Sequence, residues 1–153
     1  MKIAEMLKKD YVIESLMTST KKDALRELAQ VILHDQPQYE TETVVKVLLD
    51  REKLGSTGIG DGIAIPHGKL AKLDRLVVSF GRSLEGIDFN AMDGRPVHLF
   101  FLLLAPENSA GLHLKALAKI SRMLKDDSFR RQLIEAGTKE ELYRIIEEKD
   151  NCC

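Results

Sequence analysis

Along the first third of the chain the apolar positions follow a helical rhythm. Ile3, Met6 and Leu7 suit a short amphipathic helix, and Tyr11-Val12-Ile13 is a brief β-like stretch. Thr18-Ser19-Thr20 offers caps for a helix from about Lys21 to His34, with Leu25, Leu28, Ala29 and Ile32 on one face and Pro37 beyond its end. A second helix is predicted from about Glu40 to Lys53, with Val44, Val47 and Leu48 at helical spacing and Gly55 closing it. The rhythm then changes. Ile63-Ala64-Ile65 reads as a short strand ending at Pro66, and Arg75 to Ser83 as a longer one. Asp93-Gly94-Arg95 marks a turn, and Val97 to Ala105 is apolar at nearly every position, as in a strand buried on both faces of a sheet. Pro106 stops that run. A helix from about Ser109 to Lys125 follows, with Leu112, Ala116, Leu117 and Ile120 inward. Phe129 to Ala136 and Lys139 to Glu148 complete a helical C-terminal part.

Helices that precede, follow and interleave with a few strands predict a single α/β or α+β domain around a central sheet. The length of 153 residues allows a real core, and 44% apolar with 31% charged residues is the profile of an ordinary globular protein. A net charge of -1, no basic stripe and only 5% aromatic residues argue against a nucleic-acid partner. Met1 to Asp10 lacks the apolar stretch of a signal peptide, and the longest apolar run, Leu99 to Ala105, is too short to span a bilayer. The expectation is a cytoplasmic protein with no direct membrane insertion. Cys152 and Cys153 read as an exposed, reduced tail, and no C-a-a-X pattern follows them.

Candidate chemistry gathers in Leu54-Gly55-Ser56-Thr57-Gly58-Ile59-Gly60-Asp61-Gly62-Ile63-Ala64-Ile65-Pro66-His67-Gly68. Glycines let backbone N–H groups approach an anion, and imidazole is a nucleophile near neutral pH. Gly58-x-Gly60-x-Gly62 is followed by a β-like stretch and a proline rather than a helix, and no Gly-Lys-Ser/Thr ending is present. A nucleotide loop is therefore excluded, although the glycines are also readable as a simple turn. His113 falls in the first turn of a helix that starts just beyond the apolar strand, where ligand sites of sheet proteins gather, so His67 and His113 can reach one crevice. On residue chemistry alone Arg51 reads first as part of a solvated Arg51–Lys53 helix terminus, with a phosphate partner as the other reading. His34 reads as a solvated helix-end residue and His98 as a hydrogen-bonded structural one. The scattered histidines show no metal-ligand spacing.

The stretch from Arg51 through Pro66-His67-Gly68 resembles the phosphorylation-site motif of the type-2 IIA proteins. These are the fructose, mannitol and nitrogen-regulatory family of the bacterial phosphoenolpyruvate:sugar phosphotransferase system. The likeness continues through Val97 to Pro106 and His113-Leu114-Lys115-Ala116-Leu117-Ala118 and covers essentially the whole chain. It implies a mixed, mostly parallel sheet flanked by helices. It also implies His67 as phosphoacceptor, with Arg51 and His113 in supporting positions and no cofactor or metal. The implied donor is an HPr- or NPr-type phosphocarrier, and the acceptors are regulatory target proteins or a IIB cysteine. Arg51 would neutralise phosphoryl oxygens, His113 would donate to one of them, and backbone N–H groups near Gly58 to Gly62 would help. The wording from Arg51 to Gly68 is most like the nitrogen-regulatory branch, and no IIB-like or membrane segment is attached. The alternatives are a fructose-type IIA and a regulatory binding module that does not turn over phosphate.

Overall fold

The computed structural model describes residues 1–152. Helix α1 (Ile3–Leu7) and a 3-10 turn lead into β1 (Val12–Ile13). Helices α2 (Lys21–Leu33) and α3 (Thr41–Glu52) follow, then strands β2 (Gly58–Gly60), β3 (Ile63–Ala64), β4 (His67–Leu70), β5 (Val77–Ile87) and β6 (Val97–Pro106). Helices α4 (Ala110–Leu124), α5 (Asp127–Glu135) and α6 (Lys139–Cys152) complete the described residues. Thr20 caps α2 by accepting a hydrogen bond from Asp23 N at 3.2 Å. Cys152 is an exposed free thiol, and the expectation for Cys153 lies outside the described residues.

Among the described residues the strands form one mixed sheet in the order β1-β5-β6-β3-β2, with β4 also on β6. Strands β1 and β5, β3 and β6, and β4 and β6 pair in parallel, whereas β5–β6 and β2–β3 are antiparallel. The expected α/β fold is present, although its longest ladder, β5 on β6, is antiparallel. Leu102, Leu103 and Leu104 are fully buried, because β6 has strands on both edges and helices on both faces. Ser79 donates to the carbonyl of Leu28 on α2 at 2.8 Å. Three residues along β5, buried Arg82 faces the other way, and its guanidinium donates to the Leu133 and Ala136 carbonyls at the end of α5. Helices α2 and α3 therefore cover one face and α4 and α5 the other.

Strands β3 and β4 are one line of chain broken at Ile65-Pro66. Ile63 pairs with Leu99 and His67 with Leu103, the same offset on either side of the proline. Proline has no N–H to give to a ladder, but its carbonyl still accepts from Leu103 N at 2.9 Å, so the register survives. Alternation along β4 puts Gly68 on the α3 face and His67 on the α4 face.

Gly68 sets how closely α3 approaches. A Cβ there would lie 2.9 Å from Val47 Cγ1 and 3.5 Å from Leu48. Val47 is half-buried on this contact, and Arg51 follows one turn later. Gly68→Ala is expected to cost about 1–3 kcal/mol by overpacking. In a double-mutant cycle, Val47→Ala should return part of that cost. Urea unfolding of the four proteins checks this, and strict additivity would show that Gly68 does not set the spacing.

Candidate functional site

His67 opens β4, and Pro66 fixes how the chain enters it. Its ring Nδ1 lies 3.0 Å from the carbonyl oxygen of Ile65. A carbonyl can only accept, so Nδ1 carries the proton and Nε2 presents a bare lone pair. Arg51 Nε donates to that lone pair at 3.2 Å. The two bonds agree on one tautomer, with Nε2 as the nucleophilic atom.

Arg51 lies in the last turn of α3 on the Gly68 side of the sheet, and β4 lies at the sheet edge, so the guanidinium reaches round to His67. Its second anchor is the carbonyl of Gly55, which accepts from Nη1 at 2.8 Å. Gly55 has φ +142 and nothing within 4 Å of a Cβ, so glycine is needed for backbone conformation and not for space.

His113 enters from α4, where its N–H bonds Ser109 O at 2.9 Å in the first turn. Its ring meets that of His67 edge-on, with centroids 5.2 Å apart and planes at 74°. The residue is only 7% exposed, and among the described residues its Nε2 has no hydrogen-bond partner. That nitrogen can therefore bond a group brought beside His67. Burial pulls the His67 pKa below 6.5. The Ile65 bond opposes this, and the Arg51 charge pushes further down. The His113 pKa is lowered too, by burial first and then by the charges of His67 and Lys69. Both shifts favour the neutral ring.

The structure thus brings His67, Arg51 and His113 together. It does not bear out the glycine run as an anion cradle. Gly58 to Gly60 is a strand paired with β3, Gly58 N already donates to Ser56 Oγ at 3.0 Å, and Asp61 N donates to Asp93 at 3.3 Å. Gly58 is there for contact, since a Cβ would sit 2.8 Å from that of Ala91. Leu112, expected inward, is 53% exposed, and Leu114 is 67% exposed. Ala116 and Ile120 are buried as expected, and the buried stripe of α4 starts at His113 rather than Leu112. His98 Nδ1 bonds the Ser83 carbonyl at 2.9 Å and His34 is exposed at the end of α2, as the sequence implied.

A model of the family described as "Phosphoenolpyruvate-dependent sugar phosphotransferase system, EIIA 2" matches residues 5–149. A nitrogen regulatory protein of Bradyrhizobium diazoefficiens is 43% identical over 146 residues, 95% of each chain. A fructose-specific EIIABC component of Bacillus subtilis is 36% identical over 98% of this chain and 24% of its own length. The crystal structure of IIA-Ntr from Neisseria meningitidis superposes with a TM-score of 0.88 at 36% identity, covering 94% of this chain and 98% of that one. Among the described residues no helix is long and apolar enough to cross a membrane.

Nitrogen-15 NMR titration should find the His67 midpoint below 6.5, with Nδ1 protonated in the neutral form. Arg51→Ala removes a cation and some burial, both of which depress the midpoint, so it should rise. An unmoved midpoint would show that the guanidinium does not sit on Nε2. Because both histidines titrate lower in the fold than in the unfolded chain, their contribution to stability is complete above pH 6.5. It is lost as pH falls from there through the folded midpoints.

Proposed function

This chain belongs to the EIIA 2 family of the phosphoenolpyruvate-dependent sugar phosphotransferase system, and we propose that it accepts a phosphoryl group on Nε2 of His67. As a family member it is a phosphotransfer component of that system. The observation that carries the reading is the His67 tautomer, locked by Ile65 on one nitrogen and marked by Arg51 on the other.

In the transfer, the Nε2 lone pair forms a bond to phosphorus as the N–P bond of a donor phosphohistidine breaks. The electron pair stays on the donor nitrogen, and the donor ring takes a proton from solvent. The phosphorylated His67 ring, which keeps Nδ1–H against the Ile65 carbonyl, carries the matching positive charge until that proton is released to solvent. Arg51 Nε–H covers the attacking lone pair at rest, so the guanidinium must slide from Nε2 onto a phosphoryl oxygen. Gly55 and His67 engage two of its five donors, leaving others for the equatorial oxygens. His113, with Nε2–H turned to the group, donates to one of its oxygens. Phosphoryl transfer needs little covalent help, so these three side chains act by position and charge.

The donor is a phosphorylated HPr- or NPr-type protein. Around the site Leu54, Leu112 and Leu114 are exposed at 84%, 53% and 67%, a surface suited to a protein carrier. Similarity to a nitrogen regulatory protein at 43% identity across 95% of both chains favours a cytoplasmic regulator that signals through phosphorylation-dependent binding of target proteins. The 36% identity to a fructose-specific component supports a second reading, in which His67 passes its phosphate to a IIB cysteine.

With phosphoenolpyruvate, Enzyme I and HPr, the chain should take up one acid-labile phosphoryl group, and His67→Ala should take up none. Arg51→Ala should keep its circular dichroism spectrum and slow labelling by about 100-fold, comparable to loss of a charge-stabilising donor. His113→Ala should slow it about tenfold, as a weaker contact of the same kind. Full labelling of His67→Ala would overturn the proposal. Pull-downs with unphosphorylated and phosphorylated protein, beside transfer to a IIB domain, separate signal from cargo.

A further inference from the structure

Beneath the site lies a buried polar cluster that the chemistry above does not use. Glu52, the last residue of α3, is 8% exposed. One carboxylate oxygen accepts from Thr57 N at 3.1 Å and pairs with Lys21 Nζ at 2.9 Å, and the other accepts from Thr57 Oγ1. Lys21, the first residue of α2, also donates to the Phe89 carbonyl at 3.3 Å and lies 4.6 Å from the Phe89 ring centroid. Ser56 Oγ donates to that same carbonyl at 2.8 Å and accepts from Gly58 N. Phe89 is fully buried, with its ring 5.4 Å from that of Phe100 on β6.

These contacts close the short loop from Glu52 to Thr57 on itself and bolt it to the core. Inside that loop is Gly55, whose carbonyl holds Arg51 Nη1. The guanidinium therefore has two anchors, His67 Nε2 and a carbonyl whose place is set by Glu52, Thr57 and Ser56. When a phosphoryl group arrives, the first anchor is given up and only the second remains to aim the cation.

We infer that Glu52 and Thr57 are positioning residues that, with Lys21 and Ser56, hold the Gly55 carbonyl so that Arg51 stays aimed at the His67 nucleophile and its phosphoryl group. The inference rests on the phosphoacceptor reading for its consequence, but its geometry is testable without phosphate. Loosening the loop costs Arg51 its fixed direction, and small displacements of a positioned group are expensive in transfer chemistry.

Thr57→Val removes one donor to Glu52, keeps the volume and the backbone N–H, and changes no charge. The groups that act on His67 are Arg51 and Glu52 of α3, the Ile65 carbonyl and His113 of α4, with Lys69 of β4 acting on His113. None of these is altered in kind. A rise of the His67 midpoint in Thr57→Val, in the direction of Arg51→Ala, would thus report displacement of the guanidinium. Labelling by phospho-HPr should fall about tenfold or more, and Thr57→Ser should recover both readings. An unmoved His67 midpoint in a folded Thr57→Val protein would overturn the inference, even if the rate fell. Should Thr57→Val fail to give a folded amide spectrum, Ser56→Ala decides by the same midpoint. A rise supports the clamp and an unmoved value overturns it. Absence of label on the wild type would instead defeat the phosphoacceptor reading, while the midpoints would still judge the clamp.

Discussion

The site depends on the ladder between β6 and the interrupted strand β3–β4. β6 is buried on both faces and paired along both edges, so it cannot slide without moving its whole apolar set. Its register continues unchanged past Pro66, which fixes His67 beside Leu103 and Gly68 beside Leu104. From that pairing the rest follows. Gly68 admits α3, the spacing of α3 delivers Arg51, and the opposite face delivers His113 from the helix that follows β6. Three side chains from distant parts of the sequence meet because one strand leaves them no alternative positions.

Arg51 has two effects that pull together. Its charge adds to burial in favouring the neutral His67 ring, and on the proposed reading the same charge is what a phosphoryl group needs nearby. A carboxylate in that place would raise the pKa of the ring and repel the incoming anion. The Ile65 carbonyl opposes Arg51 by favouring a protonated ring, but it also holds the tautomer. Burial outweighs that opposition, so the ring is held by a bond that does not ionise it.

Much of the helical frame was legible, because caps and apolar spacing are local signals. Thr20, the Leu25–Leu28–Ile32 face and the apolar run of β6 all lie where the pattern put them. β2 and β4 were not legible. Gly-Ile-Gly and His-Gly-Lys-Leu have little β propensity, and only pairing with β3 and β6 makes them strands. On α4 the expected inward positions Ala116 and Ile120 are buried and Leu117 is partly so, and only Leu112 departs from the pattern, with His113 buried beside it. His67 and His113 stand out by position, at the end of the glycine run and at a strand–helix junction, whereas Arg51 reads as a helix-end cation until the motif is recognised. Glu52 and Thr57 gave no signal beyond their types, because a five-residue loop closed by a buried carboxylate looks like any polar connection.

On the proposed reading, the resting and phosphorylated forms differ most where a partner would touch. A phosphoryl group adds nearly two negative charges and three acceptor oxygens, and here it would do so among exposed Leu54, Leu112 and Leu114. Arg51 and His113 can neutralise and pair part of that charge, but both are already committed to this corner of the fold. A partner that seats apolar side chains over the bare imidazole then meets a desolvation cost once the group is present, and a partner bringing cations meets the reverse. One covalent change at the end of a strand thus selects between partners without any rearrangement of the sheet, and the stiffer the hold on Arg51, the more completely the difference is expressed at the surface.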